Sequence, residues 1–487
     1  MKILFYHPTS HSDGYPEPPL GIGYLMSVAK KLHHQYEFYD EDHHSKFLSL
    51  ETIVSDLKPD LYAVSFMTPQ YYRVIKVIQK FKEWTPNAKV IVGGPHASAL
   101  PVETMQELKK IDYLCKGEGE KTFEEFLDYL NGKIQLEEVK GLFYRKDGKI
   151  FSNPPRELMG SRELDNCSVE WEKLLEQRPY MQKLVYTKTI VPALSVITAR
   201  GCPFECTFCD EGTIWQRKVR VRSIDNVINE IKYLHDKFKV QHFNILDDTF
   251  TLSKSRAIEF CKKIELLNIK FRITAKTTTV DEEMLDHLKR AGCQIIAYGV
   301  ESGDEEVLKK MKKQQTIKDI KNAFEITRRA DIPSYALCMV GNIGEDMKAV
   351  KKTAELIKEI KPDLFSCSLM TPYPGSENYK TCKDNGWILH YDWELWVPSV
   401  LKMKDFKPVA RTGKMDEKDL LKAYYLMNRY VLINRFKQKY GRLFIFSFFF
   451  YTNEVFPRVK MIGYRTFFHY VINIFLKKRK INASVVR

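Results

Sequence analysis

The chain has 487 residues, 44% of them hydrophobic, so it is long enough for about two to four globular domains. Its net charge of +15 is concentrated in residues 429–487, which hold 13 Lys and Arg residues and one acidic residue, Glu454. The remainder is close to neutral, which disfavours a nucleic-acid-binding surface and nucleic acid as a partner.

Short apolar strands and amphipathic helices alternate over the first part of the chain. Helical patterns cover, for example, 21–32 and 72–84, and strands are predicted at 2–6, 36–40, 61–66, 89–92 and 113–116. This alternation predicts an α/β domain over residues 1–135, with a doubly wound, Rossmann-like (flavodoxin-like) parallel sheet. Such sheets bind their ligands at the carboxyl ends of the strands.

The alternation pauses and then resumes. Residues 136–192 carry turn signals and are predicted to form a linker with a small hairpin. Later strands are predicted at 194–198, 242–247, 272–276, 295–300, 335–339 and 364–370. Six β/α steps over residues 193–405 predict a partial (β/α)6 TIM-type barrel with its active site at the carboxyl ends of the strands.

Residues 406–487 are predicted to form a helical, basic and aromatic C-terminal region. Its apolar stretches, 443–451 and 467–476, fall short of the ~20 residues that span a bilayer as a helix. Two main interpretations stay open: a helix lying on an anionic membrane, beside the basic residues 477–480, or a helical cap on the barrel. RNA binding is a third, and the lack of an RNA-binding motif counts against it. Residues 1–10 show no signal-peptide pattern, so we expect a cytoplasmic protein, peripheral on the inner face of the membrane if the tail binds there.

Three of the ten cysteines lie close together. Cys202, Cys206 and Cys209 have the spacing C-x3-C-x2-C directly after a predicted strand, which predicts catalytic metal ligands. Zinc would need a fourth ligand from a second Cys or His pair, and none follows, whereas three thiolates on a 4Fe–4S cluster leave one iron open. Zinc and a trio of free thiols are the alternatives. The isolated cysteines are predicted to be buried, reduced thiols.

Loops with glycine or small polar residues follow several strands of the first domain. They lie on the binding edge of the predicted sheet, and glycine lets a ligand approach the backbone closely. A ligand-free flavodoxin-like domain is the alternative. His43 and His44 are predicted to form a solvated turn. The candidate ligand contacts are Gly21, Ser65, Thr68, Gly93, Gly94, His96, Gly117, Glu118 and Gly119.

The cysteine motif resembles that of the radical S-adenosylmethionine (SAM) superfamily. The resemblance covers residues 193–400 and includes Phe208 and the segments 246–250, 299–303 and 371–376; residues 341–345 lack the proline usual in the family. It implies a 4Fe–4S cluster on the three cysteines, with SAM on the open iron. Reductive cleavage of SAM would yield a 5′-deoxyadenosyl radical that takes hydrogen from the substrate.

The same resemblance implies SAM contacts. Asp247, Glu301 and Ser302 are the candidates, and Lys276 stands where relatives often have an arginine. The alternative for each is a polar residue at a strand end that satisfies backbone groups.

The loops of the first domain resemble the cobalamin-binding domain that precedes many radical SAM barrels. The motif Asp-x-His-x-x-Gly is missing after the first strand, so no histidine of this chain is expected on cobalt, although His96 could approach the cofactor. The layout is similar to the subgroup of anaerobic Mg-protoporphyrin ester cyclase and the hopanoid-modifying enzymes.

This likeness implies C-methylation of an unactivated carbon in a hydrophobic substrate, such as a lipid, isoprenoid or tetrapyrrole. Reduced ferredoxin or flavodoxin would be the electron donor. Oxidative ring closure or C–C bond formation is the first alternative. Modification of tRNA is the second, and the lack of a second cysteine trio or an RNA-binding motif counts against it.

Overall fold

The computed structural model describes residues 1–9, 17–45, 48–176, 180–183, 190–397 and 407–440. These residues form two mainly parallel seven-stranded sheets with helices between their strands, and a two-stranded antiparallel ribbon. The strands are β1 (Lys2–His7), β2 (Gln35–Asp40), β3 (Leu61–Ser65), β4 (Lys89–Gly93), β5 (Tyr113–Cys115), β6 (Leu142–Lys146), β7 (Lys149–Ser152), β8 (Met181–Lys183), β9 (Ile190–Val196), β10 (Ala199–Arg200), β11 (Arg220–Val221), β12 (His242–Ile245), β13 (Lys270–Ala275), β14 (Cys293–Glu301), β15 (Ser334–Val340) and β16 (Leu364–Leu369).

The helices alternate with these strands. They are α1 (Leu20–Lys31), α2 (Glu41–His44), α3 (Leu50–Leu57), α4 (Tyr71–Trp84), α5 (Pro95–Ala99), α6 (Pro101–Glu107), α7 (Glu120–Leu130), α8 (Ser161–Asp165), α9 (Trp171–Leu175), α10 (Gly212–Trp215), α11 (Ile224–Phe238), α12 (Lys254–Ile264), α13 (Glu282–Arg290), α14 (Glu305–Lys310), α15 (Ile317–Arg329), α16 (Met347–Ile360), α17 (Glu377–Asp384) and α18 (Glu417–Tyr440).

The first sheet has the strand order β2-β1-β3-β4-β5-β6-β7, and β1 to β5 run parallel. Strand β1 lies between β2 and β3, and its apolar run is covered on both faces; Phe5 is fully buried and pairs with Phe38 on one side and Ala63 on the other. This order confirms the predicted flavodoxin-like arrangement.

The predicted hairpin is part of this sheet. Strand β6 pairs antiparallel with β5, opposing Tyr144 to Tyr113, and β7 forms the sheet edge. Asp147 and Gly148 both have positive φ (50° and 73°), as the two-residue turn of a tight hairpin requires. The hairpin thus covers an edge that β5 would otherwise expose, and it extends the sheet to Ser152. The predicted divisions at residues 135, 192 and 405 stay predictions.

The second sheet has the order β16-β15-β14-β13-β12-β9-β8. Six of these strands, β9 and β12 to β16, run parallel and curl into a half-barrel, which confirms the predicted partial barrel; β8 pairs antiparallel at the edge. Helix α18 packs on the opposite edge strand, where the Asn428 side chain donates to Cys367 O (2.9 Å) and accepts from Cys367 N (3.4 Å).

The C-terminal segments that prompted a membrane prediction, 443–451, 467–476 and 477–480, lie outside the described residues. Among the helices that the structure describes, none combines the length and apolarity needed to cross a bilayer. Membrane association therefore stays a prediction.

The predicted solvated turn at His43 and His44 is wrong. Both side chains are 2% exposed and lie in α2. His44 Nδ1 accepts a hydrogen bond from Asp40 N (3.1 Å), and the His43 ring stacks on Tyr180 at a centroid distance of 4.1 Å. Tyr180 lies 137 positions along the chain from His43, so no local pattern could indicate this burial.

Candidate active site

The three clustered cysteines lie on the loop between β10 and α10, and other elements hold this loop in place. The Cys202 backbone N–H donates to Glu211 Oε1 (2.9 Å), and the Thr207 N–H donates to Met311 O (3.1 Å). Gly201 enters the loop with φ 92°, and a Cβ there would lie 2.3 Å from Lys218 O. Only glycine therefore fits immediately before Cys202.

Two lysines lie close to these cysteines. Lys313 makes an ion pair with Glu301 (3.0 Å), and Lys276 Nζ sits 3.4 Å from the centroid of the Phe204 ring. Burial raises the pKa of the Cys206 thiol, an effect that the nearby Lys313 opposes, and raises the pKa of Cys209 to about 12. Both are therefore thiols at neutral pH, and metal binding must release their protons.

The donor set fits an iron–sulfur cluster better than a zinc ion. Within the part of the chain that the structure describes, no three His, Cys, Asp or Glu side chains are gathered closely enough to hold a single metal ion. Zinc would need four ligands within about 2.3 Å of its centre. A 4Fe–4S cluster is larger and keeps its thiolates further apart, and the two lysines would offset its negative charge. Each of the other cysteines is also a free thiol, as predicted, with Cys167 half-buried and the rest buried.

The predicted SAM contacts have different surroundings. Asp247 is 4% exposed and accepts hydrogen bonds from Thr198 N (2.7 Å) and Ala199 N (2.9 Å), so it holds the segment leading to the cysteines. Ser302 is fully buried and accepts from Asp304 N (3.2 Å).

Lys276 and the ion pair of Glu301 with Lys313 lie beside the cysteine loop. Lys276 Nζ lies 3.4 Å from the centroid of the Phe204 ring and Lys313 Nζ lies 5.7 Å from that of the Phe208 ring, and both rings belong to this loop. Contact of any of these residues with SAM stays a prediction.

A cavity of about 210 Å³ lies at the carboxyl ends of the strands of the first sheet. Gly94 has φ 97° and ψ −179°, a conformation open to glycine alone, and a Cβ there would lie 2.6 Å from Phe66 O. The structure thus brings four separate loops to one cavity. Seven of the predicted ligand contacts line it: Gly21, Ser65, Gly93, Gly94, Gly117, Glu118 and Gly119.

Part of the cavity wall comes from the half-barrel side. Ile197 and Arg200 precede the cysteine loop, Ile214 and Trp215 follow it, and all four line the cavity. A ligand bound there would therefore touch both the glycine-containing loops and the segments on either side of the cysteines.

Thr68 and His96, also predicted as ligand contacts, do not line this cavity. Thr68 Oγ1 lies 3.1 Å from His96 Nδ1, and the His96 ring packs against Tyr71 and Trp393 with centroid distances of 4.8 and 5.1 Å. Burial lowers the pKa of His96 to about 4 from its ordinary value of 6.5. His96 thus lies in an apolar interface between α5 and the segment around Trp393.

His96→Asn should weaken the pH dependence of stability. Because the folded protein favours the neutral ring, the stability that His96 contributes is present above pH 6.5 and is lost as the pH falls towards 4. We expect the free energy of unfolding to drop by about 2 kcal/mol less in the variant than in the unaltered protein between pH 7 and pH 5. Urea unfolding at both pH values measures this difference. Equal drops in the two proteins would show that His96 titrates normally.

Several residues near the cysteines were not predicted from the sequence: Arg200, Glu211, Arg220 and Lys313. Arg200 stands two positions before Cys202, which is a weak local signal. The partners of Arg200 are far away in the chain: it bonds to Glu118 and Glu120, 82 and 80 positions away.

Two family models match the chain. The radical SAM superfamily model covers residues 196–357, which contain the cysteine loop, and the B12 binding domain model covers residues 7–127, which contain most of the cavity loops. The chain is 30% identical to an uncharacterised methyltransferase of Pyrococcus horikoshii over 91% of its own length and 96% of the relative's. The chain belongs to the radical SAM superfamily.

Two further comparisons extend this result. An anaerobic magnesium-protoporphyrin IX monomethyl ester cyclase of Cereibacter sphaeroides is 28% identical to this radical SAM enzyme, over 83% of this chain and 67% of the cyclase. The structure of the cobalamin-dependent SAM radical enzyme OxsB with aqua-cobalamin shares the fold, with a TM-score of 0.72 at 15% identity, and the match covers 96% of this chain and 72% of OxsB.

These matches confirm that the protein is a radical SAM enzyme with an N-terminal B12-binding domain. Its cofactors are the 4Fe–4S cluster, SAM and cobalamin that the sequence predicted. As a radical SAM enzyme it acts on a substrate and requires a reductant.

Proposed function

We propose that this radical SAM enzyme methylates an unactivated carbon of a hydrophobic substrate, such as a lipid, isoprenoid or tetrapyrrole. The observation that carries this proposal is the position of the cavity, between the first sheet and the segments flanking the cysteine loop. When bound, the cluster and SAM would supply a radical that abstracts hydrogen, and cobalamin would supply the methyl group.

We assign the cofactors to residues as follows. Cys202, Cys206 and Cys209 would hold the cluster, and Lys276 and Lys313 would offset its negative charge. Lys276 and Glu301 are the proposed SAM contacts, whereas Ser302, the third candidate, is fully buried and would instead support this strand end through its bond from Asp304 N. Asp247 would orient the loop through its bonds to Thr198 and Ala199. The seven cavity-lining residues predicted from the sequence would contact cobalamin.

The two sides of the cavity differ in what they would offer a ligand, with exposed backbone on the side of the first sheet and mostly apolar side chains on the other. Gly93, Gly94 and Gly117 have no side chains, so a broad ring could approach the backbone at these positions. Ile197, Ile214 and Trp215 would cover its other face and exclude water. A dry site favours radical chemistry because it limits side reactions with solvent.

The choice of methylation and of a hydrophobic substrate is supported by the relatives and by composition. The relative from Pyrococcus horikoshii is described as a methyltransferase, and the one from Cereibacter sphaeroides acts on a tetrapyrrole ester. Residues 429–487 hold 15 aromatic residues, although most lie outside the described part of the chain. We propose reduced ferredoxin or flavodoxin as the electron donor.

Oxidative ring closure is the second candidate function. The identity of 28% to the cyclase, over 83% of this chain, favours it. In that reaction the substrate would lose hydrogen and gain no methyl group, so the two functions give products of different mass.

The test uses the full chain, purified anaerobically with iron, sulfide and hydroxocobalamin. Iron and cobalt are measured first, and the protein is then incubated with dithionite and SAM carrying a trideuterated methyl group. Lipid and tetrapyrrole extracts serve as substrates. We expect about four irons, as a 4Fe–4S cluster requires, one cobalt, and a product whose mass rises by one labelled methyl group.

The matched control is Cys261→Ala, which removes a buried thiol from α12, away from the loop, and should behave like the unaltered protein. A product that loses hydrogen without gaining label would support ring closure. Iron without cobalt would contradict both the methyl-transfer proposal and the assignment of the cavity.

A further inference from the structure

Four buried charges connect the wall of the cavity to the segment that leads into the cysteine loop. Arg200 donates from Nη1 to Glu118 Oε1 (2.9 Å) and from Nη2 to Glu120 Oε1 (2.5 Å). Arg220 Nη1 donates to the second oxygen of Glu118, Oε2 (2.7 Å). None of the four side chains is more than 10% exposed. The network is neutral, and Glu118 bonds both arginines.

The two arginines belong to one short ribbon. Strands β10 and β11 pair antiparallel, with Arg200 opposite Arg220, and Gly201 and Cys202 follow Arg200 directly. Because Glu118 bonds both strands of the ribbon, a shift of the loop at 117–119 must move the start of the cysteine loop as well.

The same side chains form part of the cavity wall. The Arg200 guanidinium lies over the rings of Tyr24 and Trp215, at 4.9 and 5.2 Å from their centroids. Tyr24, Trp215, Arg200 and Glu118 all line the cavity. Two ring contacts and two ion pairs together restrict the orientation of the planar guanidinium. A ligand in the cavity would therefore contact the groups that hold the ribbon.

The connection between the two sheets is fixed at the same point. Glu118 Oε2 also accepts from Met159 N (3.0 Å), and Met159 O accepts from Arg220 Nη1 (3.2 Å). Met159 lies on the segment between the hairpin and α8, so three parts of the chain meet at one carboxylate.

We propose that Glu118 is a positioning residue that couples occupancy of the cobalamin cavity to the geometry of the cysteine loop. This inference rests on the proposed assignment of the cavity to cobalamin and of the loop to the cluster. Coupling between two sites is reciprocal. A protein whose cysteine loop is already ordered by the cluster therefore binds the cavity ligand more tightly. Glu118 acts through the two arginines and not on the reacting atoms.

The test measures hydroxocobalamin affinity in the full chain, anaerobically, with and without a reconstituted cluster. In the unaltered protein we expect the cluster to tighten binding by at least about fivefold, the lower end of typical coupling between sites. In Glu118→Gln, the ratio of hydroxocobalamin affinity with the cluster to that without it should fall to about one, as expected for uncoupled sites. The iron content should be unchanged.

A second variant covers the case in which Glu118→Gln folds poorly because Arg220 is left without its counter-charge. Glu118→Gln combined with Arg220→Gln removes one charge of each sign, so the network stays neutral while the link to the ribbon is weakened. The double variant should also show a ratio of about one, as for uncoupled sites.

The matched control is Glu230→Gln. Glu230 pairs with Arg222 (2.7 Å), and these side chains are 12% and 7% exposed. Glu230 also accepts from Trp171 Nε1 (2.8 Å), so it is a largely buried carboxylate like Glu118 but belongs to a separate ion pair. The control should keep the fivefold ratio. A ratio of one in the unaltered protein, the full ratio in both Glu118 variants, or loss of the ratio in the control would each overturn the proposal. An unaltered protein that binds neither iron nor cobalamin would overturn the proposed function instead.

Discussion

Cys206→Ala is expected to abolish the iron–sulfur cluster and, with it, reductive cleavage of SAM. Cys206 is buried in a loop held by bonds to Glu211 and Met311, so removal of the thiol leaves the backbone anchored but takes away one of three ligands. Three thiolates hold a 4Fe–4S cluster and leave one iron open for SAM, and two thiolates no longer provide this arrangement. Iron analysis, an EPR spectrum of the reduced protein and 5′-deoxyadenosine production measure the effect.

The same result is expected for Cys202→Ala and Cys209→Ala, because each thiol is proposed as one of the three ligands of the cluster. The N-terminal domain should stay folded in all three variants, with hydroxocobalamin still bound. The control, Cys261→Ala, should keep its cluster and lose only about 1 kcal/mol of unfolding free energy, the scale of one buried methylene group. SAM cleavage at the normal rate in any of the three loop variants would contradict the assignment of these cysteines as the cluster ligands.

Gly94→Ala is expected to destabilise the first sheet and to prevent cobalamin binding. The residue has φ 97° and ψ −179°, and its Cβ would lie 2.6 Å from Phe66 O and 2.7 Å from Phe66 N. Backbone atoms of β4 and the loop after β3 would have to separate. The unfolding free energy should fall by about 2 to 4 kcal/mol, from backbone strain together with the steric clash. Urea unfolding and the cobalt content of the purified protein measure the two effects.

Gly21→Ala provides the comparison. Gly21 lines the same cavity, but its Cβ would meet no protein atom within 4 Å. The unfolding free energy should change by less than about 1 kcal/mol, the range of Gly and Ala helix propensities. A loss of cobalamin in this variant would then come from the ligand contact alone. Normal stability and normal cobalt content in Gly94→Ala would show that the loop adapts and that glycine is not required there.

Much of the architecture follows from short-range patterns. Each predicted strand lies within a few residues of an observed strand, because alternating apolar runs and amphipathic helices are local signals. Cys202, Cys206 and Cys209, which the sequence places close together, likewise lie on one loop of the structure. The glycine-containing loops meet at one cavity because the carboxyl ends of parallel strands share an edge.

Other features could not be inferred from local patterns. The hairpin at 142–152 was expected in a linker, yet it completes the first sheet because β5 offers an unpaired edge. His43 and His44 were expected in solvent, but Tyr180 covers them. Thr68 and His96 follow strands as the cavity residues do, but the structure turns them towards Trp393 and away from the cavity.

The primary sequence therefore specifies the two sheets, the spacing of the clustered cysteines and the glycines of the cavity loops, because spacing and residue type act over a few positions. The environment of those groups depends on contacts between distant segments. Glu118 meets Arg200 and Arg220 across 82 and 102 positions, and neither arginine has a local feature that predicts a partner. Burial of opposite charges requires both to leave water together, so their pairing arises only when the two sheets pack against each other.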